Sequence, residues 1–202
     1  MSALLQQRKC LGVALRQRDA GTGAHCGRVE SLCRLLGVLC GLNSRELSLL
    51  RDAARLHDLG KIGIPDDVLF KKGRLDAAEW ELMKRHSELG QATCEVVPHA
   101  NAREVARIVR HHHEAFDGSG YPDGLAGTNI PICSRIISLA DSYDAMTEAR
   151  PYGSARSHEE VMEIMSGERG RKSDPRLFEY FAKIIGEWSS NFARDFRSMP
   201  RA

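Results

Sequence analysis

The sequence of 202 residues is long enough to bury one sizeable core, and its 42% hydrophobic and 28% charged residues are typical of a globular chain. The 29 basic and 27 acidic residues leave a net charge of +2, which is too even for a concentrated basic face that would bind DNA. Because it shows neither an apolar run of roughly 18 residues nor a secretory signal, the chain is expected in the cytoplasm and not in a membrane.

Three amphipathic helices are predicted in the N-terminal part of the chain. The first covers about Ala3 to Arg18, and it is also a candidate junction to an upstream regulatory domain or a candidate dimer contact. The second runs from about His25 to Cys40 and ends at Gly41. The third opens with the capping pair Asn43 and Glu46.

The sequence contains six cysteines, a number that fits a cytosolic chain. Cys26, Cys33 and Cys40 are spaced seven apart, which places them on one face of the second helix. The sequence contains no CxxC pair, so neither a zinc knuckle nor a redox motif is indicated. The favoured interpretation is that the cysteines are small core residues.

Helix start signals continue toward the C-terminus. They are the pairs Asp76 with Glu79, Asn101 with Glu104 and Ser157 with Glu160, and Asp174 followed by Pro175. Two stretches without helical periodicity interrupt the pattern, at about residues 60–74 and 115–130, and long ordered loops tend to be functional. Strand patterns are scarce, so the prediction is one all-α domain over residues 1–202, a compact multi-helix bundle with two functional loops.

Histidines and aspartates gather near these two loops. The candidates are His25, His57, Asp58, His86, His111, His112, His113 and Asp141. Asp141 lies in SLADSYDAMT among neighbours that should be buried, where a carboxylate needs a partner such as a cation. A lone His57–Asp58 pair would be a weak signal, and a solvated helix end is the alternative explanation for the three consecutive histidines.

The mixture of imidazole and carboxylate groups suits iron, manganese, zinc or nickel. Adjacent residues of a helix diverge by about 100°, so His112 and His113 are awkward ligands for one ion but natural ones for two ions or for two edges of a wide cluster. Asp58 could bridge two ions through its two carboxylate oxygens. Two neighbouring ions are the usual device for in-line attack of water on phosphate.

Long sequence blocks carry a resemblance that covers about Arg18 to Ile185. They read LHDLGKIGIPDDVLFKKGRLDAAEWELMKRHSELG, then HHHEAFDGSGYPDGLAGTNIPICSRIISLADSYDAMTEARPY, then DPRLFEYF. In this order they resemble the HD-GYP domains, cyclic-di-GMP phosphodiesterases within the HD superfamily of metal-dependent phosphohydrolases. Gly120-Tyr121-Pro122 matches the motif that gives these domains their name.

The resemblance implies a role for individual residues. The implied metal ligands are His25, His57, Asp58, His86, His112, His113 and Asp141. Lys61 matches a lysine expected beside the scissile phosphate and is, with Asp58, the implied catalytic pair. The implied substrate-binding residues are Lys61, Gly120, Tyr121, Pro122 and Arg150. His111 matches no ligand position and is interpreted as a solvated or supporting residue.

The implied activity is hydrolysis of cyclic di-GMP to linear pGpG, with GMP as a further product, by attack of metal-bound hydroxide on phosphorus. Two divalent ions are implied, with iron or manganese favoured over zinc or nickel. Two other hypotheses remain for the function. The first is a non-catalytic module that senses the dinucleotide or docks a partner, and the second is a phosphohydrolase for another nucleotide such as cyclic GMP-AMP. The loop of Tyr121 could also contact a partner signalling domain or a second copy of the chain.

Two positions depart from the family pattern. Gly21 stands where some members carry a glutamate that is associated with a third metal ion, so two ions per chain are expected. Gly153 stands where a further lysine or arginine often follows, so one phosphate contact is expected to be missing.

Overall fold

The computed structural model describes the backbone of residues 3–98, 100–148 and 156–195 and the side chains of residues 10–98, 100–148 and 156–186. These residues form ten α-helices and no β-strand. The helices are α1 (Ala3–Arg18), α2 (Ala20–Leu39), α3 (Ser44–Leu56), α4 (Asp66–Leu69), α5 (Ala77–Lys84), α6 (His86–Glu95), α7 (Ala102–Arg110), α8 (Ile132–Thr147), α9 (His158–Gly167) and α10 (Pro175–Asp195). Short 3-10 turns cover Leu59–Gly63 and Gly127–Asn129. The all-α prediction is confirmed.

Most of the predicted helix starts are confirmed, because the side chains cap free backbone N–H groups. Reciprocal capping boxes open three helices, with Asn43 and Glu46 on α3, Asp76 and Glu79 on α5, and Ser157 and Glu160 on α9. Asp174 Oδ1 accepts a hydrogen bond from the backbone N–H of Arg176, one residue after Pro175. The start of α7 is also as predicted, because Asn101 is its N-cap, but the capping box is absent. Asn101 has φ −100° and ψ 8°, which is not the extended conformation that a capping box needs, and its side chain makes no cap hydrogen bond.

The second helix begins earlier than predicted. Asp19 caps α2 by accepting a hydrogen bond from Gly21, so the helix starts at Ala20 and His25 lies in its second turn instead of at its first residue. The helix ends as predicted before Gly41, whose positive φ of 73° turns the chain.

Two further predictions need correction. The stretch 60–74 is not wholly a loop, because it contains a 3-10 turn and α4. Residues 111–113 do not end a helix: α7 stops at Arg110, and His111, His112 and His113 form a turn beyond it. The second stretch, 115–130, is a loop with one 3-10 turn, as predicted.

A single hydrophobic core lies around α2, which packs against α1, α3, α8 and α10. Its most deeply buried members include Leu15, Val29, Cys33, Leu36, Leu50, Ile136, Ile137, Phe181 and Ile185. Cys26, Cys33, Cys94 and Cys133 are buried core residues, as interpreted from the sequence, whereas Cys40 is half-buried and Cys10 is exposed. Among the helices that the structure describes, none combines the length and the apolar character needed to cross a membrane.

The first turn of α6 approaches the chain just after α3 very closely. A Cβ atom on Gly60 would lie 1.9 Å from the backbone oxygen of His86 and 2.5 Å from the backbone nitrogen of Gly90. Only glycine leaves room for this contact. It brings His86 at the start of α6 next to His57 and Asp58 at the end of α3.

Gly60→Ala is therefore expected to destabilise the protein by at least about 1–3 kcal/mol, because the clash is with backbone that cannot rotate away. The melting temperature in differential scanning calorimetry should fall by several degrees. Gly27→Ala is the matched control, since a Cβ there meets nothing within 4 Å on an exposed face of α2, and it should stabilise the helix by roughly 0.5–1 kcal/mol. Equal melting temperatures for the two variants would contradict the tight contact.

Candidate metal centre

The end of α3 places two candidate ligands next to each other. His57 is the C-terminal cap of α3, and Asp58 follows it at the start of the 3-10 turn, whose first hydrogen bond runs from the N–H of Lys61 to the backbone oxygen of Asp58. This tight turn directs the side chains of Asp58 and Lys61 to the same place, with Lys61 Nζ 2.6 Å from Asp58 Oδ2.

Two groups of three ligands form around this point. In the first group, His25 of α2 joins His57 and Asp58, and the potential ligand atoms all lie within 4.8 Å of one another. In the second group, His86 joins His112 and His113 under the same limit. The candidates come from α2, the end of α3, the start of α6 and the turn after α7, so helix packing assembles them.

Asp58 lies between the two groups. Its Oδ1 is 3.7 Å from His86 Nε2, in the second group. Its Oδ2 is 3.6 Å from His57 Nε2 and 3.9 Å from His25 Nε2, in the first. One carboxylate oxygen thus faces each group, which is the geometry of a bridging ligand.

Three of the imidazoles are oriented in the same way. The Nδ1 atoms of His57, His86 and His112 each donate a hydrogen bond to a backbone oxygen three residues earlier, at 2.8, 2.7 and 2.6 Å respectively. Because Nδ1 carries the proton, Nε2 of the neutral ring is left with its lone pair facing the site. Hydrogen bonds of this kind fix the orientation of metal-binding histidines in many proteins.

The unprotonated nitrogen atoms are suited to bind a cation. His57 Nε2 is buried and makes no hydrogen bond to any residue that the structure describes. His86 Nε2 and His112 Nε2 face each other at 3.4 Å, and their Nδ1 hydrogen bonds leave no proton to place between them. A buried lone pair without a donor is costly, and a metal ion is the partner that would satisfy these atoms together.

His25 is held differently, by residues that sequence reasoning missed. Its Nδ1 lies 2.6 Å from Asp144 Oδ2, and Arg28 donates to both oxygens of Asp144 at 2.7 and 2.9 Å. Its Nε2 lies 2.9 Å from Asp141 Oδ1. The spacing of three residues between Asp141 and Asp144 on α8, which puts both on one helix face, was the available signal.

Burial and neighbouring charges set the protonation states. Burial would lower the pKa of His25, but its hydrogen bonds to Asp141 and Asp144 outweigh this effect and raise the pKa to about 9. Burial would raise the pKa of Asp58, but the ammonium group of Lys61 holds it well below its ordinary value. Burial lowers the pKa of His113 to about 3. A metal ion bound through His25 must therefore displace a proton, whereas Asp58 and His113 already have the protonation state that binds metal.

His112 and His113 were expected to serve two ions or two edges of a wide cluster, and the structure places them side by side. Their ring centroids are 4.0 Å apart, and both belong to the group that contains His86. The expected angular offset of 100° does not apply because neither residue is helical. All seven predicted ligands are near one another, since Asp141 lies beside His25.

The loop after the histidines folds back over the second group. The backbone N–H of Tyr121 donates to the oxygen of His113 at 3.2 Å, and the two rings stack with centroids 4.9 Å apart. A Cβ on Gly120 would lie 2.1 Å from the backbone nitrogen of Ala115, so glycine is needed for this fold. Pro122 follows Tyr121 through a cis peptide bond.

A second network, also missed from the sequence, holds this loop. Both oxygens of the buried Glu114 accept loop backbone N–H groups, from Asp123 at 2.8 Å and from Leu125 at 3.0 Å. The carboxylate of Asp123 is bound by Arg110 and by His111 Nε2 at 2.8 Å. His111 is therefore a buried supporting residue and is not solvated.

His111, Glu114 and Asp123 also meet the distance limit for a metal site. Their ligand atoms are occupied, however, by the backbone donors on Glu114 and the guanidinium of Arg110 on Asp123. These three residues thus hold the loop in place. Of the other predicted site residues, Arg150 lies outside the described residues, as does Gly153.

Comparison with known proteins gives matches along most of the chain. A family model described as HD domain matches residues 1–177. The cyclic di-GMP phosphodiesterase response regulator RpfG of Xanthomonas campestris is 38% identical over 191 residues, which cover 91% of this chain and 50% of that protein. The 3′3′-cGAMP-specific phosphodiesterase 2 of Vibrio cholerae is 41% identical over 186 residues, which cover 91% of this chain and 34% of that protein. The chain thus spans between a third and a half of these relatives.

A solved structure shares the fold. The HD domain of the phosphodiesterase PgpH of L. monocytogenes superposes with a TM-score of 0.62 at 16% identity, covering 88% of this chain and 98% of that one. At this identity the likeness concerns the arrangement of the helices. The HD-type bundle expected from the sequence is therefore confirmed.

Asp144→Asn is expected to weaken metal binding by roughly 10- to 100-fold. An asparagine amide has one oxygen, so it cannot accept both hydrogen bonds from Arg28 and also hold His25 in place. Competition with a chromogenic chelator for Mn²⁺ would measure the change. Glu163→Gln is the matched control, an exposed carboxylate on α9, and it should bind Mn²⁺ as the parent protein does. Unchanged affinity in Asp144→Asn would contradict the orienting role of Asp144.

Proposed function

Because this chain belongs to the HD domain family and carries the Gly120-Tyr121-Pro122 motif of its HD-GYP members, we propose that it is a metal-dependent phosphodiesterase acting on cyclic di-GMP. The oxygen of water would attack phosphorus and the P–O3′ bond would break, so that a proton goes to the leaving 3′ oxygen and linear pGpG forms. A second cleavage would give GMP. The observation that carries the proposal is the pair of ligand groups joined by Asp58.

Seven side chains would hold two divalent ions at this site. They are His25, His57, Asp58, His86, His112, His113 and Asp141. The mixed nitrogen and oxygen donors favour iron or manganese, with zinc or nickel as alternatives. When bound, the ions would activate water and neutralise charge on the phosphate.

Lys61 is proposed to act on the scissile phosphate. Its Nζ is 2.6 Å from Asp58 Oδ2, and although burial would lower its pKa, the Asp58 carboxylate raises it. The side chain therefore remains a cation close to the position where phosphate would sit. It could stabilise negative charge in the transition state or supply the proton of the leaving oxygen.

Tyr121 is proposed to bind substrate from the loop side. Burial and the carboxylates of Asp141 and Asp58 raise its pKa, so its hydroxyl keeps its proton and can donate a hydrogen bond to phosphate. Gly120 and Pro122 would shape this side of the site. Arg150 stays a proposed phosphate contact on the strength of the family resemblance.

The second candidate substrate is cyclic GMP-AMP. A relative named for that specificity is 41% identical to this chain, and the described ligands would contact only phosphate and water, which both dinucleotides provide. A non-catalytic binding module is a weaker candidate. Docking alone has no use for buried imidazole nitrogens without donors, such as His57 Nε2.

We also propose that residues 1–202 form one HD-GYP-like domain that includes α1. Leu15 of α1 is buried in the core, and Arg18 donates to the backbone oxygen of Ile64 at 3.0 Å and pairs with Asp66. These contacts support the view that the C-terminal half of α1 is part of the fold. The N-terminal half would then be the candidate junction or dimer contact.

The substrate is tested by incubating purified protein with Mn²⁺ or, anaerobically, Fe²⁺ and each cyclic dinucleotide. Chromatography should show pGpG from cyclic di-GMP. Product from cyclic GMP-AMP alone would support the second candidate. Binding without any linear product under either metal would support the non-catalytic module and overturn the proposal.

Asp58→Ala is expected to lose both activity and most of the bound metal, because the variant removes the carboxylate that faces both ligand groups. Tyr121→Phe should keep its metal and show a more modest change in turnover or substrate binding, since only a hydroxyl is lost. Elemental analysis and steady-state kinetics would measure both effects. Full metal and full rate in Asp58→Ala would show that the centre is wrongly assigned.

Two ions per chain are expected, and not three. Gly21 has no side-chain ligand, and Asp19 is engaged by the backbone N–H of Gly21 at 2.9 Å and the hydroxyl of Thr22 at 2.6 Å. Elemental analysis of protein expressed with added iron and isolated anaerobically should give a ratio near two. A reproducible ratio near three would contradict this count, and a rise only in Gly21→Glu would support it.

A further inference from the structure

Trp80 is a large aromatic side chain that the core does not use. It lies on α5, a helix without a single buried residue, and it is 46% exposed. Leaving a tryptophan half in water forgoes the large gain from burying its ring. An exposed tryptophan next to a candidate active site is therefore a candidate contact for a ligand.

The surroundings of Trp80 connect it to the metal centre. Its ring lies edge-on to Tyr121, with centroids 6.1 Å apart and planes at 82°. Tyr121 in turn stacks on His113 of the second ligand group. Three aromatic rings thus lead from the protein surface to the candidate metal ligands.

A positive charge lies on the same face of α5. Lys84 follows Trp80 by one helical turn, and its Nζ is 5.9 Å from the centroid of Tyr121 and 2.8 Å from Glu81. An indole ring and an ammonium group therefore both lie beside Tyr121. A nucleotide offers both complementary groups, a flat base and a phosphate.

We propose that Trp80 is a base-binding residue that stacks on one purine of the cyclic dinucleotide when a phosphate occupies the metal centre. The proposal rests on the function proposed above and adds a contact outside the metal-binding residues. Each base of such a substrate is separated from its phosphates by one ribose, so a base can reach the rim of the site while a phosphate is at its centre. Stacking on an indole is favourable for any purine, which suits both candidate substrates.

The alternative is that Trp80 only supports Tyr121. A supporting role would act through the position of the tyrosine and would not depend on the nucleobase. It would also give no change in indole fluorescence when a base binds. The two roles therefore differ in measurable quantities.

The first test is kinetic, with metal-loaded protein and cyclic di-GMP as substrate. Trp80→Ala should raise KM by roughly 5- to 100-fold, the range expected for the loss of one base–aromatic stack, with a smaller effect on kcat. Trp80→Phe should show an intermediate KM because a smaller ring still stacks. Tyr180→Ala is the matched control, a 41% exposed aromatic on α10, and its KM should equal that of the parent protein.

The second test is spectroscopic. The sequence contains two tryptophans, and Trp188→Phe leaves Trp80 as the sole indole. Titration of this variant with a slowly hydrolysed phosphorothioate analogue of cyclic di-GMP should quench its fluorescence with the same midpoint as binding measured by calorimetry. The complementary variant Trp80→Phe should show no such quenching.

Unchanged KM in Trp80→Ala together with binding that causes no quenching would overturn the role of Trp80 while leaving the phosphodiesterase proposal intact. A drop in kcat with unchanged KM would identify Trp80 as a support for Tyr121 and would also overturn the inference. If the parent protein neither binds nor hydrolyses a cyclic dinucleotide, the proposed function fails and this inference fails with it.

Discussion

A buried carboxylate organises the candidate metal centre. Asp58 is only 2% exposed, and moving an anion out of water costs several kcal/mol unless nearby charge and hydrogen bonds compensate. Lys61 supplies one compensating charge. The nearby imidazoles of His57 and His86 cannot donate to Asp58 from Nε2, because their protons are held on Nδ1 by backbone carbonyls. A cation between those nitrogen atoms and the carboxylate would satisfy both, and this is the physical reason for proposing these residues as ligands.

The orientation of the histidines depends on where helices end and begin. His57 and His112 lie just beyond the ends of α3 and α7, and His86 is the first residue of α6. At such places a side chain can turn back to the carbonyl three residues earlier. His25 lies inside α2, where backbone carbonyls are already used by the helix, and a carboxylate from α8 takes over their role. Main-chain carbonyl groups thus orient three of the imidazoles, and Asp144 orients the fourth.

Two glycine contacts decide the shape of the site around these ligands. The approach of Gly60 to α6 sets the position of His86, and the approach of Gly120 to the chain at Glu114 lets the loop return to His113. Glu114 and the pairing of Asp123 with Arg110 then hold the loop in place. The outer wall is left to Tyr121 and Trp80, whose rings lie edge to face with centroids 6.1 Å apart.

Local sequence patterns were enough to predict the all-α class and most helix starts, because capping and amphipathic periodicity act over a few neighbouring residues. They also supplied the imidazoles and carboxylates of the candidate site. They left open whether His112 and His113 serve two ions or two edges of one cluster. The 100° offset behind that expectation assumed a helix, whereas α7 ends at Arg110. The same patterns also left out Asp144 and Glu114, whose partners are His25 and the loop backbone. Which oxygen of Asp58 faces which group depends on how α2, α3, α6 and α7 pack, and this emerged with the folded chain. Sequence spacing fixes side-chain directions only within a single helix.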